Sequence, residues 1–226
     1  LWAVSGLMHP LMTNVRPAVK TQASPTHILP ASELRQGMPL TTVLRKAGIP
    51  QFFKMHLIQM DSSWYYQVLA SDQMTDVPRY FNLHTGQELI GGNRLYAVHL
   101  ARHFLGDDSD LTIVPEPIES IKTITHYTAP YTYVNRLLPV EKVSFVRGDQ
   151  IAIYVDTHNS QFAFALDHHR ATFNQFFGWF HTWSWMDSLP SLKVAIIALI
   201  LLMALFTASL GIYLTIKTRS KKNSEN

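Results

Sequence analysis

The chain has 226 residues, 47% of them hydrophobic and 15% charged, and it contains no cysteine. That apolar fraction excludes a disordered chain, and the missing thiols exclude a disulfide scaffold, a cysteine-ligated zinc finger and a thiol nucleophile. Residues 13–190 carry 14 basic and 15 acidic side chains, whereas residues 191–226 carry five basic and one acidic. The formal charge of +3 is therefore a property of the tail, and no face for nucleic acid is expected.

The apolar run LWAVSGLMHPLM opens the sequence and is too short to span a bilayer. It has neither the charged start nor the small-residue cleavage site of a signal peptide. The simplest reading is the end of a transmembrane helix over residues 1–13, whose first ~10 residues would precede Leu1. Residues 14–31 hold three prolines and little periodic pattern, as a linker would. Pro39 to Ala47 is expected to be helical, with proline at the first position and Gly48 as the stop. FKMHLIQM and SWYYQVLA, separated by Asp61 and Ser62, predict a hairpin, and RYFNL with a turn at His84-Thr85-Gly86 predicts a further strand. A second helix is expected from Arg94 to Leu105, capped by Asn93 and ended by Gly106. Strand-like runs then recur in KVSFVR, QIAIYVD and FAFALD, broken by turns at Gly148-Asp149 and at His158 to Ser160.

An aromatic segment over residues 171–190 leads into Val194–Ile216, 23 residues without a charge. At ~1.5 Å per residue this stretch reaches roughly 34 Å, enough to cross a ~30 Å hydrocarbon core. Residues 191–216 are thus expected to span the membrane. Lys217, Arg219, Lys221 and Lys222 would hold the tail, residues 217–226, in the cytoplasm. Trp179, Trp183 and Trp185 would mark the outer interface, with Tyr213 nearer the inner one. Two crossings would put residues 13–190 on the extracytoplasmic side.

Between the crossings, a helix followed by antiparallel strands occurs twice. Tyr80, Asn82, His84, Gly86 and Gln87 echo Tyr154, Asp156, His158, Ser160 and Gln161 at equal offsets, which points to an internal duplication over residues 32–90 and 91–170. With SGLMH at 5–9, YFNLHTGQEL at 80–89, NRLLPVEKVSF at 135–145, IYVDTHNSQFAFALDHHR at 153–170 and FGWFHTWSW at 177–185, the chain resembles the PepSY-associated transmembrane family of bacterial inner-membrane proteins. The resemblance implies an α+β fold: two helix-plus-antiparallel-sheet repeats in a periplasmic domain, flanked by two transmembrane helices, the first truncated. It also implies a link to iron and siderophore uptake, some members being haem-containing ferric-siderophore reductases with four membrane helices. PepSY modules in peptidase propeptides imply a further role, the restraint of an extracytoplasmic peptidase.

Eleven histidines are the unusual chemical resource. His9 in the first apolar run and His181 before the second would lie on one side of the membrane, where two imidazoles could hold a b-type haem. His99 and His103 stand four apart on one helical face, a spacing that suits a metal, but Leu100 departs from the zinc-peptidase helix motif. His168 and His169 read as a wet loop above the membrane. No GxSxG, glycine-rich phosphate loop or GxGxxG is present, and the acidic residues show no close pair. The sequence therefore favours a non-enzymatic, membrane-anchored binding or regulatory module over a haem electron carrier, with the lipid bilayer and an unidentified periplasmic or membrane protein as partners.

Overall fold

The computed structural model describes residues 23–26, 28–106, 116–132, 137–179 and 183–224, together with Gly6 and Pro10. The first transmembrane expectation, over residues 1–13, falls almost wholly outside these residues. Two compact units divide the chain, Pro17–Thr172 on the one hand and Leu1–Arg16 with Phe173–Asn226 on the other.

In the unit Pro17–Thr172 two short helices, α1 (Ala31–Gln36) and α2 (Leu40–Lys46), precede strands β1 (Lys54–Met60), β2 (Ser63–Leu69) and β3 (Arg79–Asn82). Helix α3 (Gly92–Leu105) follows, and then β4 (Ile118–Ile124), β5 (Val140–Phe145), β6 (Ala152–Asp156) and β7 (Gln161–Leu166). The strands form two antiparallel meanders, ordered β1-β2-β3 and β4-β5-β6-β7. A single bridge between Phe81 and Glu88 places a rudimentary fourth strand beside β3. Each meander is thus preceded by its own helix, and the fold is α+β.

The two halves also agree in detail. Asn82 Oδ1 accepts the backbone amides of His84 and Thr85, both at 3.0 Å. Asp156 Oδ1 does the same for His158 and Asn159, at 2.8 and 3.3 Å. Four residues beyond each of these side chains the backbone turns left-handed, at Gly86 (φ +67°) and Ser160 (φ +56°). Short polar side chains favour such turns because they supply the bond that the strand ladder loses. Tyr80 and Tyr154 stand at equivalent positions, and each is 1% exposed.

Packing follows the pleat. Val43, Trp64, Tyr66, Val68, Phe81 and Leu83 bury one face of the first sheet under α2. The other face is covered by α3, whose apolar stripe Tyr96, Ala97, Leu100, Ala101 and Phe104 also packs on the second sheet through Val143, Phe145, Ile153, Val155 and Ala165. The leucine, phenylalanine, isoleucine and valine side chains among these each contribute about 1.5–3 kcal/mol on full burial, and α3 thereby ties the two sheets together. A third cluster, Tyr131, Val140, Ala152, Tyr154 and Leu166, lies on the remaining face of the second sheet, with Tyr131 and Tyr154 stacked at 4.9 Å.

Several elements differ from the sequence expectations: the first expected helix starts at Leu40, with Pro39 as its cap, and β4 was not foreseen. Helix α3 starts at Gly92, after Gly91 in the left-handed region, so Asn93 lies in the first turn and is not the cap. A Cβ at Gly92 would meet the Tyr80 ring at 2.7 Å, which fixes where the chain can turn into the helix. Residues expected to form a linker include the start of α1. His168 and His169 are not in a loop: they open α4 (His168–Phe177), and Asp167 Oδ1 caps it by accepting the Arg170 amide at 2.7 Å.

The second unit contains the end of α4, a 3-10 turn at Ser184–Met186, and α5 (Pro190–Ser224). Proline at the first helical position starts α5, and Pro190–Thr218 is long and apolar enough to cross a membrane. None of its most apolar stretch is buried.

Candidate functional site at the junction of the sheets

The most unusual chemistry in the unit Pro17–Thr172 is a chain of buried polar side chains crossing from one half to the other. Gln67 on β2 donates from Nε2 to the Tyr80 hydroxyl and to the Thr157 carbonyl, both at 2.8 Å. The Tyr80 hydroxyl donates to Asn93 Oδ1 at 3.1 Å, and Asn93 Nδ2 donates to Glu141 Oε1 at 2.9 Å. Thr123 Oγ1 lies 3.1 and 3.0 Å from the two Glu141 oxygens. Gln67, Tyr80, Asn93, Glu141 and Thr157 are each at most 8% exposed. Their hydrogen bonding is met within the chain, as burial at this depth requires.

Electrostatics follow from that burial. Loss of solvent raises the pKa of Glu141, against the opposing effects of the Thr123 bond, Arg94 and the Asn93 bond. Burial also drives the Tyr80 hydroxyl far above the ordinary phenol range, so it stays a donor at any physiological pH. His158, beside the Asp156 turn, is pushed down by burial and further by Lys54, although Asp156 and Asp76 pull the other way. Lys54 Nζ meanwhile donates to Asn159 Oδ1 at 2.6 Å, a second link between the halves.

A cavity of about 160 Å3 opens beside this network. Asp76, Asn93, Thr123, Thr125, Glu141 and His158 supply its polar lining, and Met74, Val77, Pro78, Pro139 and Val140 its apolar walls. Asp76 and Glu141 thus share one cavity, which the sequence, showing no close acidic pair, did not indicate. The only advance signal was the equal spacing of the two hairpins, which placed His158 at a turn.

A wider groove, about 720 Å3, lies on the second sheet. Its lining includes Lys142, Ser144, Ala152 and Leu166 from the strands, Arg147 and Gln150 from the β5–β6 turn, and His168 and Ala171 from α4. Lys122 and Lys142 are paired across β4 and β5, a like-charge juxtaposition that weakens a sheet. Lys142 Nζ sits 5.9 Å from the Tyr154 ring, which compensates in part.

Among the described residues the histidine candidates are not gathered into one site. His9 and His181 lie outside the described residues. His99 Nδ1 is 3.7 Å from Asp61 Oδ1, whereas His103 Nε2 is 2.8 Å from the Ala23 carbonyl, so the two rings have different partners. The rings of His168 and His169 are 5.9 Å apart, edge to face. Among the described residues no group of three His, Asp or Glu side chains is placed to hold a metal ion.

Comparison of the chain with protein-family models, with curated proteins and with solved structures returned no match.

Proposed function

We propose that this protein is a membrane-anchored module of PepSY type, which displays the unit Pro17–Thr172 on the periplasmic face of a bacterial inner membrane and there binds or regulates a partner without catalysing a reaction of its own. The observation that carries the reading is the division of the chain. One unit holds two antiparallel sheets with helices packed on them and has its own cores, and the other contains an apolar helix of membrane-spanning length with none of its apolar stretch buried. The basic residues Lys217, Arg219, Lys221 and Lys222, at the end of the apolar run Val194–Ile216, favour a cytoplasmic tail. The groove and the cavity give the displayed unit two concave surfaces, where recognition sites concentrate.

Site-specific photocrosslinking in living cells tests the binding half of this reading. A benzophenone side chain introduced at Gln150 beside the groove, or at Met74 beside the cavity, is expected to give a discrete adduct of one added mass. Absence of any discrete adduct from both positions, in a chain that reaches the membrane intact, would contradict it.

A further inference from the structure

We propose that the groove on the second sheet is a binding site for a zwitterion of amino-acid type, a free amino acid or a short peptide, whose carboxylate meets Lys142 and Ser144 and whose ammonium meets Asp167. The assignment rests on the groove alone, so its failure would leave the display reading untouched.

The first observation compares matching positions in the two halves. Gln67 is the cross-strand partner of Tyr80, and Lys142 is that of Tyr154. Asn93 and Asp167 follow these tyrosines at the same offset, the one in the first turn of α3 and the other capping α4. In the first half the three side chains are neutral and close on one another, Gln67 Nε2 on the Tyr80 hydroxyl at 2.8 Å and that hydroxyl on Asn93 Oδ1 at 3.1 Å. In the second half a cation and an anion hold the outer places. Among the described residues neither is bonded to the Tyr154 hydroxyl, and no ion pair within 4.0 Å joins them. Both line the groove of about 720 Å3 instead. Opposite charges that face one space without neutralising each other are complementary to a molecule carrying both signs.

The second observation is a buried donor with nothing to bond. Ser144 is 8% exposed and lines the groove, and its hydroxyl makes no hydrogen bond among the described residues, where burial of this depth ordinarily brings one. Val143 and Phe145 pack toward α3, so the pleat turns Lys142 and Ser144 together to the groove side. One carboxylate accepting from both would satisfy the hydroxyl and meet the ammonium. Lys122, paired with Lys142 across the strands, adds a second positive charge beside it, and Glu119 a second carboxylate to the lining. Asp167 spends Oδ1 on the Arg170 amide at 2.7 Å, which leaves Oδ2 for an incoming ammonium. Ala152, Leu166 and Ala171 offer apolar contact to the carbon frame between the two charges. The volume falls in the range of about 300–1,000 Å3 usual for small-molecule sites.

The test uses the full chain in detergent micelles at matched ionic strength, with L-leucine and trialanine as probes and binding read by ligand-observed NMR. At least one probe is expected to bind saturably. Its C-terminal amide, which lacks the carboxylate, and its N-acetyl derivative, which lacks the ammonium, are each expected to bind about tenfold more weakly. Lys142→Gln is expected to erase the difference between the probe and its amide. Asp167→Asn, which keeps a capping side chain, is expected to erase the difference between the probe and its N-acetyl derivative, a pairing that a merely structural role would not produce. A far-UV circular dichroism spectrum matching the parent qualifies each variant, and the derivatives carry the test on the parent chain if a variant does not fold. Tighter binding of trialanine would assign a peptide as the source, and tighter binding of leucine a free amino acid. No saturable binding of either probe, derivatives that bind as well as the probe, or differences that survive in both variants would overturn the proposal.

Discussion

Asn93 and Glu141 are joined by a bond of 2.9 Å that ties the first turn of α3 to strand β5, and through Tyr80 the same asparagine reaches the first sheet. One side chain thus spans the two halves, donating with one end of its amide and accepting with the other. Removing it would leave the Tyr80 hydroxyl and the Glu141 carboxylate, 1% and 5% exposed, each short of a partner. Asn93→Ala is expected to lower unfolding stability by about 2–4 kcal/mol, since each buried polar group left unsatisfied costs about 1–3 kcal/mol. Urea denaturation of the full chain in detergent would measure it, and a loss below 1 kcal/mol would show that the network is wet.

Glu141 links stability to pH. Burial raises its folded-state pKa above the ordinary value of 4.5, so the native state holds the proton more tightly than the unfolded chain does. The stabilisation from that proton is complete below the ordinary carboxyl value and is lost as pH rises through the raised one. In Glu141→Gln the loss is absent. The melting temperature of the variant relative to the parent is therefore expected to climb as pH rises from 4 to 8, and a flat or falling difference would contradict the burial argument.

Helix propensity and packing oppose each other at Gly92. Alanine inside a helix is favoured over glycine by about 1 kcal/mol. At this position, however, the added methyl would lie 2.7 Å from Cδ2 of Tyr80 and 2.9 Å from its Cβ, and the ring is 1% exposed with no room to swing. Overpacking of this kind costs about 1–3 kcal/mol, so Gly92→Ala is expected to destabilise in thermal unfolding. A stabilised variant would show that Tyr80 can move and that the junction is loose.

Much of this architecture is legible in the sequence, and the exceptions have physical causes. The hairpin at Asp61 and Ser62, the helix ending at Gly106 and the paired turns after Asn82 and Asp156 all announce themselves through turn chemistry. Strand β4 does not: Ile118, Ile121 and Ile124 fall three apart, a spacing that masks a strand; a bulge between Ile118 and Ser120 lets Ile118 and Ile121 share the face toward α3, while Ile124 packs in the cluster on the opposite face. The start of α4 was hidden because His168 and His169 read as polar loop, although Asp167 supplied an N-cap signal. The buried junction is hardest to foresee. Gln67, Asn93 and Glu141 belong to different elements, and nothing in their local sequence distinguishes a polar group that tertiary packing will bury from one left in water.

Haem offers a clean separation of readings. The display account expects detergent-purified protein from haem-replete cells to be colourless. A Soret band with sharp reduced α and β bands, lost in His9→Ala or His181→Ala, would replace it with an electron carrier.

The most direct measurement exploits the absence of cysteine. Single cysteines introduced as Thr75→Cys, in an exposed loop of the unit Pro17–Thr172, and Ser220→Cys, beyond the apolar span, report which side of the membrane each occupies. With the outer membrane permeabilised and the inner membrane intact, a membrane-impermeant maleimide is predicted to label Thr75→Cys at once and Ser220→Cys only after lysis. Labelling of Ser220→Cys before lysis with Thr75→Cys protected, or of both positions before lysis, would contradict a module anchored by α5 and displayed to the periplasm.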